Sequence, residues 1–499
     1  MKSIEQLTFN NTYARLPEVF FSRVLPRPFE QQHLVSINPA VAEMLDLDPD
    51  KLNTPEQLAL LTGKARHTNM EPVAQCYAGH QFGQYVPRLG DGRAILLGEV
   101  ETSNHGKLDL QIKGSGLTPY SRDGDGRAVL RSTIREYLCS EAMHGLGIPT
   151  SRALCIIGSN EEVYRERVEA GAMLLRVAPT HVRFGTFEYY YHANQYEDIR
   201  KLADYVIESN FSDEDTGIIH ADNKYLALLD EIIKRTARLL AMWQAVGFCH
   251  GVMNSDNMSI LGLTLDYGPF GFMEGFDPGY ICNHSDHQGR YAYDQQPTIG
   301  LFNLSCLAQA ILPLIDEVPD AAAGKARDSL GRYEAIYTQH YSTLMRARLG
   351  LASEQREDHG LLQQLFTIMA EDRVDYTIAF RRLCDFSSEP GADNNKIRDL
   401  FINREAFDQW CNEYSVRLRH DGEDDQQRSI KMKQVNPRYV LRNYMAEIAI
   451  RKAEDENDFS EIDRLLTLLR SPFVDHPGND EYAGFPPAWS QKISVSCSS

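Results

Sequence analysis

The sequence predicts an α+β fold of two lobes, in which a small lobe rich in β-strands precedes a larger, mostly helical lobe, with extensions at both chain ends. Two patterns carry this prediction. Residues 93–178 contain short apolar runs separated by glycine-containing or charged turns, a pattern typical of strands. From residue 199 onward, apolar residues recur at helical spacing, most clearly over residues 225–246. We therefore expect the two lobes to meet near residue 190.

These patterns divide the chain into an N-terminal extension (residues 1–75), the strand-rich lobe (76–190), the helical lobe (191–470) and a proline-rich tail (471–499). A chain of 499 residues is long enough for one large two-lobed enzyme with extensions, or for two or three ordinary domains. The sequence contains no internal repeat and no low-complexity tract.

Composition limits the partners that the chain can bind. Lys and Arg number 51 against 70 Asp and Glu, and the net charge of −19 argues against nucleic acid or an anionic membrane as a partner. The N-terminus lacks an apolar core of signal-peptide length, and no run of about eighteen apolar residues occurs. The 9 cysteines are widely spaced without a C-x-x-C pair, which favours reduced thiols. We expect a soluble, cytoplasmic protein.

A β-hairpin opens the most informative part of the chain. Residues 93–100 and 107–113 read as two strands that follow a turn containing Gly90 and Gly92. A hairpin with a glycine turn at its mouth is typical of a nucleotide cover, although such turns also occur without a ligand. Alternation along the second strand places Lys113 on its polar face, where a single Lys is often only solvated.

The helix predicted over residues 132–146 carries Glu136 just beside its apolar face. A strand Lys followed by a helix Glu is the ion pair that holds the phosphate-binding Lys in protein kinases. The alternative is a surface Glu without a partner. The order of hairpin, Lys113 and Glu136 along the chain favours the ion pair.

Further candidate phosphate ligands lie between these elements and after them. A second glycine-rich loop holds Asp125 and Gly126, and Arg176 and Arg183 flank the sequence APTHV. Two arginines at this spacing are often surface charges. In a chain this acidic, however, a phosphate site needs a local cluster of cations.

The stretch 243–274 contains the strongest chemical signal. A polar turn holds Asp256 and Asn257, and Asp266 follows in a D-Y-G turn. Such residues can also merely shape turns. Oxygen ligands from two turns around a short hairpin are nevertheless what Mg²⁺ with bound nucleotide phosphates requires, and protein kinases use this layout. The catalytic Asp of the kinase pattern H-G-D-x-x-x-x-N is replaced by Val252, so either the site is inactive or Asp256 acts as the base.

Histidines elsewhere give weaker signals. His80, in an aromatic and glycine-rich segment, could be a metal ligand, but a lone His in such a turn is more often a structural hydrogen bonder. His284, Asp286 and His287 match no zinc-ligand spacing and are interpreted as part of a flexible loop.

Taken together, the chain resembles the selenoprotein O family of kinase-like protein adenylyltransferases. The likeness runs nearly end to end. It rests on the motifs YAGHQFG (77–83), LGDGRA (89–94), HGVMNSDN (250–257), DYGPFGF (266–272), NPRYVLRN (436–443) and the terminal SCSS (496–499), together with Lys113, Glu136, Arg176 and Arg183.

The resemblance implies a kinase-like fold that binds ATP in an orientation reversed relative to ordinary kinases, and transfers AMP to Ser, Thr or Tyr hydroxyls of protein substrates. Asp256 would be the catalytic base, and Asn257 and Asp266 would hold Mg²⁺. The residues implied to contact the nucleotide are Gly90, Gly92, Arg93, Lys113 (positioned by Glu136), Asp125, Gly126, Arg176, Arg183 and Asp266. Some family members are linked to UMP transfer with Mn²⁺, which the same site could support.

The resemblance also implies a redox hypothesis. Cys497 matches a position that can be selenocysteine in animal family members, and the family is associated with redox homeostasis. A disulfide between Cys282 and Cys497 would tether the segment after Asp266 and damp activity, whereas the alternative is two independent thiols.

Three rival functions stay open at the sequence level: a conventional kinase, a nucleotide-binding pseudokinase scaffold and a UMP transferase. Val252 argues against the first. Binding alone could use Lys113, Glu136, Asn257 and Asp266, so these residues do not exclude a scaffold. The target proteins, the preferred metal and nucleotide, and the oligomeric state do not follow from the sequence.

Overall fold

Strands of two to thirteen residues dominate the first part of the chain. The computed structural model of the protein describes residues 1–211 and 216–496. The strands there are β1 (Thr8–Phe9), β2 (Phe21–Arg23), β3 (Gln32–Ile37), β4 (Val73–Gln75), β5 (Gly79–Gln81), β6 (Gln84–Val86), β7 (Ala94–Glu101), β8 (Lys107–Lys113), β9 (Ala128–Val129), β10 (Arg152–Tyr164), β11 (Val168–Ala178), β12 (Phe248–Cys249) and β13 (Gly271–Phe272).

Helices dominate the second part of the chain. Those among the described residues are α1 (Pro39–Met44), α2 (Pro55–Leu61), α3 (Leu130–Gly145), α4 (Phe184–His192), α5 (Tyr196–Asn210), α6 (Lys224–Val246), α7 (Gln296–Ile315), α8 (Pro319–Leu330), α9 (Tyr333–Arg348), α10 (Asp358–Asp372), α11 (Tyr376–Leu383), α12 (Asn395–Arg398), α13 (Arg404–Asp421), α14 (Asp425–Lys433), α15 (Asn443–Glu456) and α16 (Ser460–Arg470). The predicted α+β class, with a strand-rich first part and a helical second part, is confirmed.

Nine strands form one antiparallel sheet in the order β2-β4-β7-β8-β11-β10-β3, with β1 beside β7 and β9 beside β11. Residues 1–75 contribute β1, β2, β3 and β4 to this sheet. Strands from residues 1–75 and from residues 76–190 therefore pair directly with one another.

The predicted hairpin is confirmed as β7 and β8, and the bounds of β8 match the prediction. Leu108, Leu110 and Ile112 pack into a core cluster on one face of the sheet, which α1 and α2 cover. The alternate side chains of β8 face the opposite way but are also buried, with Gln111 and Lys113 only 0% and 8% exposed. The solvated face considered for Lys113 is therefore absent, because the rest of the protein covers both faces of the strand.

Helix α3 packs across the second face of the sheet. Ile134, Tyr137 and Leu138 join the largest hydrophobic cluster, which also contains residues of α6 and α7. Glu136 is buried with them, although it is charged. A buried carboxylate requires cationic or hydrogen-bonding partners, and these come from the sheet.

Helix α6 leads into the polar turn that carries the candidate base. It ends at Val246, and the next residue, Gly247, has a φ of +71°, which belongs to the left-handed region that favours glycine after a helix C-terminus. β12 follows at once and pairs with β13, so a two-stranded ladder closes the loop that contains Asp256 and Asp266.

Among the described residues, one segment is long and apolar enough to cross a membrane by length and composition. It covers residues Tyr293–Ile315 and includes α7, and 61% of its most apolar window is buried inside the fold. This burial is that of a core helix.

The tail returns to the segment after β13. The backbone N–H of His284 donates to the carbonyl of Val495 at 3.0 Å, and Val495 is 5% exposed. Cys497, the second member of the predicted redox pair, lies outside the described residues.

Candidate active site

A cavity of about 630 Å³ lies where the sheet meets the helical part of the chain. The residues that the sequence assigns to nucleotide, metal and base all line it: Gly90, Gly92, Arg93, Lys113, Asp125, Gly126, Arg176, Arg183, Asp256, Asn257 and Asp266. Glu136 stands behind this lining and is 2% exposed. Residues up to 176 positions apart in the sequence (90 to 266) are thus brought to one site.

A network of buried ion pairs forms the floor of the cavity. Lys113 Nζ donates to Glu136 Oε2 at 2.5 Å, and Arg176 Nε donates to Glu136 Oε1 at 2.5 Å. Arg176 and Arg183 both donate to the carboxylate of Asp266. Three cations therefore face two carboxylates, and the surplus positive charge suits a phosphate ligand.

The network perturbs the titration of its members. Burial lowers the pKa of Lys113 to about 8, although Glu136 acts in the opposite direction. Burial alone would raise the pKa of Asp266, but Arg176 and Arg183 hold this pKa well below its usual range. Asp266 is consequently ionised at neutral pH and available to a cation.

Asp256 lies in a different electrostatic setting from Asp266. It is 7% exposed, its Oδ2 accepts a hydrogen bond from Gln81 Nε2 at 3.2 Å, and its Oδ1 has no partner among the described residues. Burial raises the pKa of Asp256 to about 7, with Arg183 opposing the rise. A carboxylate with a free acceptor atom and a pKa near neutrality has the properties of a general base.

Backbone contacts fix the position of Asp256. Arg183 donates through its guanidinium to the Asp256 carbonyl at 2.8 Å. An ideal Cβ on Gly79 would lie 2.8 Å from Asp256 Oδ1 and 2.9 Å from its backbone nitrogen, so only glycine fits at this approach. Val252, which stands at the Asp position of the kinase sequence pattern, also lines the cavity with an apolar side chain.

Asn257 and Asp266 carry side-chain oxygen atoms of the kind that bind hard metal ions. The amide nitrogen Nδ2 of Asn257 donates to the carbonyl of Val252 at 3.0 Å, which leaves its Oδ1 available as a ligand. Asp266 has a φ of +57°, a left-handed conformation that Asp tolerates better than most residues. Carboxylate and amide oxygens fit Mg²⁺ or Mn²⁺ by their chemistry.

Two glycine-rich loops contribute to the lining of the cavity. Gly126 has a φ of +70°, and an ideal Cβ there would lie 2.1 Å from the carbonyl oxygen of Gly116. The neighbouring Asp125 is exposed, and Arg165 binds its two carboxylate oxygens at 2.8 and 2.9 Å. The Arg93 side chain is also exposed, and within the part of the chain that is described it makes no hydrogen bond or ion pair, whereas the Arg93 carbonyl accepts from the Gly114 N–H at 2.7 Å.

Sequence reasoning missed the contribution of the segment 77–83. Gln81 binds Asp256, and the Tyr77 ring stacks against the Arg183 guanidinium, with 4.6 Å from Cζ to the ring centroid. Tyr77 and Gln81 both line the cavity. The motif YAGHQFG carries the available signal, but a tyrosine and a glutamine in such a segment do not show which distant residues they contact.

Cys282 is buried against Gly251, in the loop that carries the candidate base. Its thiol donates to the carbonyl of Cys249 at 3.4 Å, and burial raises its pKa well above the usual range. Its pairing with Cys497 stays a prediction, because Cys497 is not among residues 1–211 and 216–496.

Comparisons with known proteins identify the family of the chain. A family model described as "Protein adenylyltransferase SelO" matches residues 3–470. Proteins named "Protein nucleotidyltransferase YdiU" from Myxococcus xanthus, Thioalkalivibrio sulfidiphilus and Thiobacillus denitrificans are 55%, 52% and 50% identical to the chain. Each alignment covers 100% of both proteins. The resemblance found in the sequence is confirmed, and the chain belongs to the SelO family and is a nucleotidyltransferase.

Proposed function

We propose that the protein transfers AMP from ATP to Ser, Thr or Tyr hydroxyls of other proteins and releases pyrophosphate. The observation that carries this proposal is the pairing of two unlike carboxylates in one cavity. Asp256 has a free acceptor atom and a pKa near 7, whereas Asp266 is held ionised by two arginines. The first has the properties of a base and the second those of a metal ligand.

In the proposed reaction Asp256 Oδ1 accepts the proton of the substrate hydroxyl. The hydroxyl oxygen attacks the α-phosphorus of ATP, the bond from that phosphorus to the bridging oxygen breaks, and pyrophosphate leaves. Lys113, Arg176, Arg183 and Arg93 neutralise the phosphate oxygens through positioned charge, which is the main source of catalysis in reactions of this type.

The cations can serve both the carboxylates and the nucleotide. A guanidinium carries five N–H donors, so Arg176 and Arg183 keep free donors while they bind Asp266. Asn257 and Asp266 would hold Mg²⁺ or Mn²⁺, which would neutralise further phosphate charge when bound. Gly90, Gly92, Asp125 and Gly126 would cover the nucleotide.

A kinase-like fold is supported by the strand-rich part, the helical part and the cavity between them. In this fold residues 1–75 would be an extension, 76–190 the small lobe, 191–470 the large lobe and 471–499 the tail. Val252 at the usual base position supports a reversed nucleotide relative to a kinase. The composition supports a cytoplasmic protein without membrane or nucleic-acid partners.

Labelled nucleotides test the proposal. The protein with Mg²⁺ and an acceptor protein receives ATP labelled on the α-phosphate or on the γ-phosphate, and we expect only the α-label to be incorporated. Incorporation of the γ-label would indicate a kinase, and no incorporation of any label would indicate a scaffold. A parallel reaction with α-labelled UTP and Mn²⁺ measures UMP transfer, the second candidate, which the names of the relatives leave open.

The redox hypothesis is a separate proposal. Oxidation would join Cys282 and Cys497 and restrain the segment after Asp266, and the contact between His284 and Val495 supports it because it brings the tail near Cys282. Mild oxidation followed by non-reducing peptide mapping should recover a Cys282–Cys497 linked peptide. Recovery of the two peptides unlinked would refute the hypothesis.

A further inference from the structure

Three side chains with metal-ligating atoms meet beside the loop that carries the candidate base. They are His80 on β5, Glu188 on α4 and Cys306 on α7. The ligand atoms, an imidazole nitrogen, a carboxylate oxygen and a thiol sulfur, all lie within 4.8 Å of one another. Because the residues belong to three separate elements, tertiary packing brings them together.

We propose that His80, Glu188 and Cys306 bind a transition-metal ion of the Zn²⁺ class. Nitrogen, oxygen and sulfur ligands are those that Zn²⁺ accepts, at bond lengths of about 2.0–2.3 Å. Tetrahedral geometry with these bonds separates the ligand atoms by roughly 3.3–3.8 Å, so small side-chain rotations bring the three atoms into range. A water molecule completes the fourth position. This donor set is distinct from the oxygen ligands Asn257 and Asp266, which favour Mg²⁺.

The burial of Glu188 independently supports a cation at this cluster. Its side chain is 1% exposed, and Oε2 accepts a hydrogen bond from His80 Nδ1 at 2.5 Å. The second oxygen, Oε1, is buried and has no hydrogen-bond partner among the described residues. Buried carboxylate oxygens are normally paired, and a metal ion beside Oε1 supplies the partner.

Metal binding at this cluster is accompanied by proton release. Burial raises the pKa of the Cys306 thiol to about 12, so the metal-free thiol is protonated, and the metal displaces this proton to solvent. The bound ion then links one neutral imidazole, one carboxylate and one thiolate.

Such an ion would hold the hairpin β5–β6 against α4 and α7. The backbone N–H of His80 donates to Ser255 Oγ at 2.6 Å, and Gly79 contacts Asp256. The metal would therefore stabilise the segment that positions the base, without contacting the reacting atoms. This role lies beyond the proposed nucleotidyl transfer.

The test uses the full-length protein, stripped with a chelator and kept in excess Mg²⁺ so that the oxygen-ligand site is filled. We expect one equivalent of Co²⁺ to bind with a thiolate-to-Co²⁺ absorption band in the near ultraviolet, and Zn²⁺ to displace it. Cys306→Ser should lose this band, and His80→Ala and Glu188→Gln should weaken binding by about tenfold or more. Cys411→Ser is the matched control, because Cys411 is also partly buried with a pKa near 12.

Zn²⁺ should also raise the thermal unfolding temperature of the parent and of Cys411→Ser, but not that of Cys306→Ser. The proposal is overturned if the parent binds neither Co²⁺ nor Zn²⁺ in the micromolar range, or if Cys306→Ser keeps the band. If Cys306→Ser fails to fold, Glu188→Gln decides, because the amide is isosteric and can still accept a hydrogen bond from His80. Unchanged Zn²⁺ affinity in that variant would also overturn the proposal.

Discussion

The hydrogen bond from Gln81 to Asp256 provides a sharp test of the proposed base. Gln81 Nε2 donates to Asp256 Oδ2 at 3.2 Å and favours the ionised carboxylate. Gln81→Leu removes this donor while keeping a side chain of similar size. A hydrogen bond to a charged group contributes about 1.5–3 kcal/mol, and the length of this bond favours the lower end.

Loss of this hydrogen bond should raise the pKa of Asp256 by about one, because 1.36 kcal/mol corresponds to a pKa difference of one. The pKa of Asp256 is about 7, so about half of the parent protein holds the ionised base at pH 7. In Gln81→Leu the ionised fraction falls to about a tenth, and kcat/KM at pH 7 should drop about fivefold. At pH 9 the two proteins should differ little, because both carboxylates are then ionised.

The assay follows incorporation of α-labelled nucleotide into an acceptor protein at subsaturating ATP between pH 5 and pH 9. Gln84→Leu is the matched control, because Gln84 pairs with Gln81 across the hairpin but is exposed. Its profile should coincide with that of the parent. Coincident profiles for Gln81→Leu and the parent, or a fivefold loss that persists at pH 9, would refute the reasoning.

Three further predictions concern the same site. Asp256→Asn should abolish transfer yet stabilise the fold. The pKa of Asp256 in the folded protein is about 7, above the ordinary value of 3.8. Ionisation of Asp256 therefore lowers the stability of the parent progressively from about pH 4 to pH 7, by up to about 4 kcal/mol, and the Asn variant avoids this loss. Urea unfolding at pH 4 and pH 8 should show a difference from the parent that grows with pH; an equal difference at both values would contradict the assigned pKa. Lys113→Ala should reduce transfer about 100-fold or more. It should cost less than about 2 kcal/mol of stability, because Glu136 keeps Arg176 as its second cationic partner. A folded variant with parental transfer rates would exclude Lys113 from catalysis. Gly79→Ala should lower the transfer rate at least about tenfold, because the added methyl group displaces Asp256. The control Gly360→Ala has open space in α10, so it should leave the transfer rate unchanged and raise stability by up to about 1 kcal/mol. Equal transfer rates in both variants would argue against the close approach of Gly79 to Asp256.

The sequence was most informative where a local pattern sets the structure. Alternation over residues 107–113 predicts β8 with its observed bounds, and the helical pattern over 225–246 predicts α6 to within one residue. The order of Lys113, Glu136, Asp256 and Asp266 along the chain predicts that they share one site. In the structure all four lie at one cavity or directly behind its lining. Each of these features depends on neighbouring residues or on an ordered motif.

Contacts between distant segments could not be predicted from such patterns. Strands β2 and β4 have only three residues each, too few for alternation to show that residues 1–75 join the sheet. Gln81 meets Asp256 across 175 residues of sequence, and a glutamine in a turn carries no signal of that contact. The neighbours of His80 could not be predicted for the same reason, because Glu188 and Cys306 lie on two helices far along the chain.

The most direct test of the account is a crystal structure with a non-hydrolysable ATP analogue and Mg²⁺ bound. The account predicts that the α-phosphorus lies nearest to Asp256, with the metal on Asn257 and Asp266 and the phosphate oxygens on Lys113 and Arg176. This geometry would place the attacking hydroxyl between Asp256 and the α-phosphate. A structure with the γ-phosphorus nearest to Asp256 would contradict the account and indicate phosphoryl transfer.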